Sequence, residues 1–354
     1  MIIGLFGECM LEQNLLPQLA ARTDAPRFGG DTLNTALYLA RCLPLLADAG
    51  KSQSAWQPPR YFTAVGQDQA SQQLLQAWQA EGIDISAVQQ LADKTLGRYQ
   101  ISLDAQGERS FSYQRSDSAA RAYFREQPTA LQQQLQQRQL DWCYLSGISL
   151  AILTEAERQL LWVSLQRFVA AGGKLVYDNN FRPQLWSAAD AARWQQQILP
   201  YCQLALLTDS DELAMGGQSA EQSRQAALAA GCALVLVKQG AGPCLVGWQA
   251  AGAAALCWQV PAEAVPTVVD SSAAGDAFAA AVLAALFTAP DWQPPQIERA
   301  VRCGHRLAAA VLGQHGAIIA PCSMPDFADL QLARCADAGA GAAAVGQEAK
   351  SDAK

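Results

Sequence analysis

The sequence predicts an α/β protein built on a mostly parallel sheet with helices on both faces. Short apolar runs recur at 2–6, 61–65, 142–145, 174–177, 204–207 and 233–237. Between them lie segments of helical periodicity at 31–42, 69–80, 154–171, 188–198, 220–230, 277–287 and 297–312, and such alternation is the mark of parallel strands joined by crossover helices. Hydrophobic residues are 51% of the 354 and charged residues 16%, which allows a large core and argues against disorder. Ligands of such sheets gather at the carboxyl ends of the strands.

The rhythm breaks once. Arg98 to Leu103 and Arg109 to Arg115 alternate with period two on either side of a Gly-containing turn, which predicts a hairpin. Tyr99, Ile101 and Leu103 share one face of its first strand, and Phe111, Tyr113 and Arg115 one face of its second. An Arg among aromatics suggests a binding surface, while an edge hairpin with a snorkelling Arg is the alternative. Residues 47–60 predict a surface loop, and residues 335–354, rich in Ala and Gly, predict a disordered tail.

The net charge of −7 argues against nucleic acid or an anionic membrane as a partner. Ten scattered cysteines without a Cys-x-x-Cys pair read as buried thiols of a reducing compartment, and two histidines leave little for a His/Cys metal centre. The N-terminus offers no signal peptide and no segment reads as a membrane span, so a cytoplasmic protein is expected.

The most informative stretch is Val268-Val269-Asp270-Ser271-Ser272-Ala273-Ala274-Gly275-Asp276-Ala277-Phe278. It reads as a strand, a tight loop of small residues and a helix start. The free N–H groups of a helix start bind anions, and a carboxylate in the first turn can act as a base beside a bound phosphate. A capped helix after a strand is the plainer reading.

Four further stretches carry chemistry. Gly29 and Gly30 enter a helix with Asp31 and Asn34 one turn apart, facing one way to hold hydroxyls or, for Asp31, to cap. Asp178-Asn179-Asn180-Phe181-Arg182-Pro183 ends a strand and presents an Arg suited to carboxylate or phosphate, or simply a polar turn. Thr208-Asp209-Ser210-Asp211-Glu212 clusters carboxylates able to order Mg²⁺, or to cap a helix. Lys238-Gln239-Gly240-Ala241-Gly242-Pro243 is a strand end and Gly-rich turn suited to a nucleotide, though not a Walker-type loop.

Taken together and in this order, the motifs resemble the ribokinase-like (PfkB) family of sugar kinases. The family's Gly-Gly-x-x-x-Asn stands here as Gly29 to Asn34, and its Asp-Thr-Thr-Gly-Ala-Gly-Asp as Asp270 to Asp276, with Ser twice for Thr and Ala273 for Gly. Longer strings, among them Gly7-Glu8-Cys9-Met10, Leu145 to Leu153, Asp178 to Pro183 and Gly316 to Ile319, resemble the family branch that acts on a keto-deoxy sugar acid. The resemblance implies one ribokinase-like domain over 1–334 with a small β-sheet lid inserted near 8–28 and 95–117. It implies ATP and Mg²⁺ as cofactors, with a monovalent cation as a further candidate, and phosphorylation of 2-keto-3-deoxy-D-gluconate at its 6-hydroxyl. Asp276 would be the base, with the backbone of Ala273, Ala274 and Gly275 as anion hole. Gly30, Asp31, Thr32, Leu33 and Asn34 would hold the sugar, with Tyr99, Tyr113, Gln114, Arg115 and Arg182 at the ketoacid end. Asn180, Phe181, Arg182 and Lys238 to Pro243 would meet ATP together with the anion hole. Glu212 would serve the metal, through water, the usual Asn of the family's Asn-x-x-Glu being Asp209. A homo-oligomer, with the lid as a dimer contact, is expected. The alternatives are a kinase of a neutral ketose such as fructose, and a non-catalytic sugar- or nucleotide-binding regulator. A nicotinamide oxidoreductase is disfavoured, because no Gly-x-Gly-x-x-Gly follows the first strand.

Overall fold

Four apolar residues form β1 (Ile3–Phe6), which is buried throughout because strands run on both sides of it and helices cover both faces. This computed structural model describes residues 1–14, 27–47, 56–103, 109–289 and 291–330. After β1 come β2 (Met10–Asn14), β3 (Phe28–Gly29), α1 (Asp31–Leu46), β4 (Arg60–Phe62), β5 (Ala64–Gly66), α2 (Gln69–Ala80), β6 (Gln89–Leu91), β7 (Gly97–Leu103), β8 (Arg109–Gln114) and α3 (Ala130–Gln136). Next are β9 (Trp142–Ser146), α4 (Gly147–Ala151), α5 (Glu155–Ala170), β10 (Lys174–Asp178), α6 (Ala188–Ile198), β11 (Cys202–Thr208), α7 (Asp209–Gly216) and α8 (Ala220–Ala229). The chain continues through β12 (Leu234–Lys238), β13 (Cys244–Trp248), β14 (Leu256–Val260), α9 (Ala274–Thr288) and α10 (Pro294–Leu312).

The main sheet has the order β14-β13-β12-β11-β10-β9-β1-β4. It is parallel from β4 to β12, with β13 and β14 antiparallel at one edge. Strand periodicity divides the core. Tyr144, Val176, Leu204 and Leu234 face α1, α2, α9 and α10, while Cys143, Leu175, Ala205 and Val235 face α3, α5, α6 and α8. Helix starts follow their side-chain signals, with capping boxes at Thr129, Thr154 and Ser219.

Helix α9 is apolar on every side because α1 and α10 both pack on it. Its alanines allow close approach, and so does Gly304 of α10, where a Cβ would meet Phe278 at 2.7 Å and Val282 at 2.8 Å. Among the described residues no helix is long and apolar enough to cross a membrane. The described cysteines are free and mostly buried, Cys257 and Cys322 being exposed.

The predicted hairpin is present as β7 and β8, with Tyr99 opposite Tyr113. It joins β2 and β3 in a separate four-stranded sheet of order β3-β2-β7-β8. The hairpin turn at 104–108, part of the loop at 47–60 and the predicted tail lie outside the described residues.

One expectation is corrected. Val268 and Val269 are not a strand but exposed loop, at 59% and 36% exposure. The sheet edge already ends at β14, and the loop's backbone bonds instead to the end of α10, Val269 N–H donating to the Leu312 carbonyl at 2.8 Å.

Candidate active site

Helix α9 starts at the carboxyl edge of the sheet from Ala273, which sits in the left-handed region (φ 61, ψ 10) and offers no side-chain cap. Ala274 N–H reaches the Ser271 carbonyl at 3.5 Å, and the N–H groups that follow it in the first turn are left for another acceptor. The preceding loop is held by Asp270, whose Oδ1 accepts from Ser272 N at 3.0 Å and Oδ2 from Gly316 N at 2.8 Å. The segment after Gly316 is fixed in turn on α1, where the Tyr38 hydroxyl donates to the Ala317 carbonyl at 2.8 Å and accepts from Ile319 N at 3.0 Å.

Gly275 is exposed, and a Cβ there would come within 3.7 Å only of Lys238 Nζ, so an ammonium stands over the helix start. Lys238 is pinned by buried Asp178, its Nζ donating to Oδ2 at 2.9 Å. Strands β10 and β12 thus deliver an anion–cation pair to the start of α9, on opposite sides of β11. The rest of the predicted nucleotide turn, Gln239 to Pro243, links β12 to β13 with Gly240 at φ 56.

Asp276, in the first turn of α9, accepts from Asn34 Nδ2 at 2.8 Å. Desolvation, then the charge of Asp31, lifts its carboxyl to about 7, against the opposing Asn34 hydrogen bond and Lys238. Desolvation raises Asp31 as well. Asn34 Oδ1 is buried and accepts no hydrogen bond from the protein. An unfilled acceptor beside a carboxylate raised toward neutrality can take a hydrogen bond from a hydroxyl.

The Gly-Gly entry to α1 is steric. A Cβ on Gly30 would lie 2.2 Å from the Glu8 carbonyl oxygen. Asp31 is the first helical residue rather than the cap, which is Gly30, and its Oδ2 accepts from Asn180 Nδ2 at 3.0 Å. Asn180 adopts φ 28 to reach it. Two expected sugar contacts at 30–34 point elsewhere: Leu33 is fully buried in the core, and Thr32 is buried with its Oγ1 3.2 Å from the Tyr61 hydroxyl. Helical geometry turns these two away from the face that carries Asp31 and Asn34.

The residues expected at the ketoacid end divide. Tyr113 and Gln114 are exposed on β8. Tyr99 is buried, its hydroxyl donating to Glu12 Oε2 at 2.7 Å. Arg115, just past β8, donates from Nε to Glu8 Oε2 at 2.8 Å and from Nη2 to the same oxygen. Arg182 is half exposed, with Nη1 donating to the Phe181 carbonyl at 2.7 Å and lying 4.0 Å from Asp211 Oδ2. Phe181 is buried, and its N–H donates to Asp211 Oδ2 at 3.0 Å.

Glu212 faces inward at 3% exposure. Its Oε1 accepts from Asn179 and Gln195, each at 2.9 Å, and Oε2 from Gln195 at 3.1 Å. A carboxylate that deep needs donors, and the amides supply them. Here Glu212 braces Asn179, whose Oδ1 in turn accepts from Asn180 N and Thr208 N. Among the described residues no group of three His, Cys, Asp or Glu side chains could hold a metal ion.

Sequence reasoning left Glu8 and Asp178 without a role. Glu8 follows β1 by two residues and Asp178 ends β10, and an acidic residue at the carboxyl end of an apolar core run is the available signal.

The family model of the pfkB family of carbohydrate kinases matches residues 5–323. The chain belongs to that family. The pfkB match spans every site residue above. The chain is 39% identical over 329 residues to the 2-dehydro-3-deoxygluconokinase of Escherichia coli, covering 91% of this chain and 98% of that one. It is 36% identical over 319 residues to the enzyme of that name from Haemophilus influenzae, covering 90% and 95%. The crystal structure of aminoimidazole riboside kinase from Salmonella enterica, complexed with aminoimidazole riboside and an ATP analog, superposes with a TM-score of 0.70 at 21% identity, covering 93% of this chain and 98% of that one. The pfkB carbohydrate kinase is thus a ribokinase-like α/β fold with a small second sheet.

Proposed function

We propose that the chain catalyses ATP-dependent phosphorylation of 2-keto-3-deoxy-D-gluconate at the 6-hydroxyl, giving the 6-phosphate and ADP. The observation that carries the chemistry is Asp276: a carboxyl raised to about 7 in the first turn of a helix whose open N–H groups adjoin Lys238. The sugar hydroxyl enters against Asp276 and the unfilled Asn34 Oδ1. Asp276 takes the hydroxyl proton as the sugar oxygen bonds to the terminal phosphorus and the bond to the ADP oxygen breaks. The backbone of Ala273, Ala274 and Gly275, with Lys238, meets the charge on the transferred group. Asn180 and Asp31 fix the polyol side, and Arg182 and Arg115 face the carboxylate, the local positive charge an acidic protein needs for an anionic substrate. Mg²⁺ would offset phosphate charge. With no protein cage among the described residues, it would be held largely by the nucleotide, as is usual for Mg²⁺ at kinase sites.

The identities with two 2-dehydro-3-deoxygluconokinases support the sugar acid over a neutral ketose. The deciding experiment measures ATP consumption with 2-keto-3-deoxygluconate, fructose, ribose and gluconate at equal concentration. Preference for the keto-deoxy acid is expected. Turnover of fructose alone would keep Asp276 and overturn the substrate, and no turnover with any of the four would favour a binding role.

A further inference from the structure

Glu8 is a buried carboxylate at the place where the small sheet joins the core. Its side chain is fully enclosed, and Arg115 is its cationic partner at 10% exposure. Oε2 accepts from Nε and Nη2 of Arg115, and Oε1 accepts from the Ser118 hydroxyl. Three crossings between core and small sheet converge here. Glu8 lies between β1 and β2, Arg115 and Ser118 leave β8, and Gly97 opens β7 so closely that a Cβ would meet Glu8 Oε1 at 2.8 Å. The backbone of Glu8 also presses on Gly30, one residue before Asp31. One residue therefore touches both the start of α1 and the arginine assigned above to the substrate carboxylate.

We propose that Glu8 is a positioning residue for the acidic substrate, one that holds the Arg115 guanidinium by its Nε–Nη2 edge and leaves Nη1 for the substrate carboxylate. A guanidinium is a planar fork, so fixing one edge fixes the direction of the other. The pair costs the site positive charge, because Glu8 neutralises Arg115. What it supplies is orientation: a long, rotamer-rich side chain is ordered before substrate arrives. The proposal rests on the sugar-acid reading above.

Steady-state kinetics of the full chain and of Glu8→Gln, Arg115→Gln and the double variant test it. Glu8→Gln is expected to raise KM for 2-keto-3-deoxygluconate about tenfold, with kcat and the KM for ATP changed less than about threefold. The double variant is expected to be no worse than Arg115→Gln by more than about twofold, because both substitutions remove one interaction. Ser118→Ala, a gentler change that frees the other Glu8 oxygen, is expected to move the same KM in the same direction by a smaller factor. Multiplying effects in the double variant, parallel loss in kcat and both KM values, or an unchanged KM in Ser118→Ala would overturn the proposal. Wild-type protein that ignores the acid but phosphorylates a neutral ketose would show that the substrate reading itself had failed, before any variant is compared.

Discussion

Asn34 Nδ2 and Asp276 Oδ2 lie 2.8 Å apart, joining the first turns of two helices separated by 242 positions. Nδ2 favours the ionised carboxyl, whereas burial and Asp31 oppose it. As a base, Asp276 must be ionised. For the free enzyme, kcat/KM should fall with unit slope as pH drops below about 7. Asn34→Ala removes a stabiliser of the charge, so the acidic limb should move to higher pH. A limb that stays in place would detach that limb from Asp276.

Asp276→Asn should lower kcat by about 10²–10⁴, the usual contribution of a positioned general base. It should also stabilise the fold at alkaline pH. A carboxyl whose folded pKa is raised to about 7 gives full stability below its unfolded value near 3.8 and loses it as pH rises through 7. Thermal melts should show the variant's advantage larger at pH 8 than at pH 5. An advantage independent of pH would point to repacking instead.

Lys238→Met should lower kcat/KM by about 10²–10³, the scale for one preorganised group at a developing charge. It leaves Asp178 buried without its cation, so a lower melting temperature should accompany the loss. Because Lys238 also lowers the pKa of Asp276, the acidic limb should shift upward here too. Unchanged kinetics in a less stable protein would confine Lys238 to a structural role.

Ala273→Gly tests the departure from the family's glycine. A non-glycine residue in the left-handed region costs about 1 kcal/mol, so the substitution should stabilise the fold by up to that amount and preserve turnover. Chemical denaturation reads the first, and a kinetic assay the second.

Gly147→Ala reaches the site from behind. Its Cβ would stand 2.0 Å from the Asn179 carbonyl oxygen, forcing the strand end that carries Asn180 to move. A loss of about 1–3 kcal/mol is expected from overpacking, with reduced activity although Gly147 touches no substrate. Denaturation and kinetics measured together would show both.

The sheet, most helices and the order of the motifs were legible because they rest on local signals: periodicity, caps and glycines. Asp276, Asn34 and Lys238 were legible as motif positions and do meet around one helix start. Their actual couplings were not legible. Asp178 and Lys238 are 60 residues apart, and Glu8 meets Arg115 and Ser118 at separations of 107 and 110. No period or spacing encodes such pairs. Val268 and Val269 misled because two β-branched residues before an Asp look like a strand end, and only the backbone bonds to Leu312 show otherwise. Leu33 misled because a motif carries its backbone and its side chain together, while the helix points that side chain into the core.

The bond from Gly316 N to Asp270, and the seat of 317–319 on Tyr38, have a consequence for biosynthesis. A chain emerging from the ribosome can assemble β1 to β12 and expose α9 before the brace for its leading loop exists. The loop before α9 gains the Gly316 bond to Asp270 only when residues near 319 have left the exit tunnel. The growing chain should therefore acquire its sheet before the loop at 270–273 is braced, and stopping synthesis ahead of residue 316 should leave a folded core with that loop unbraced.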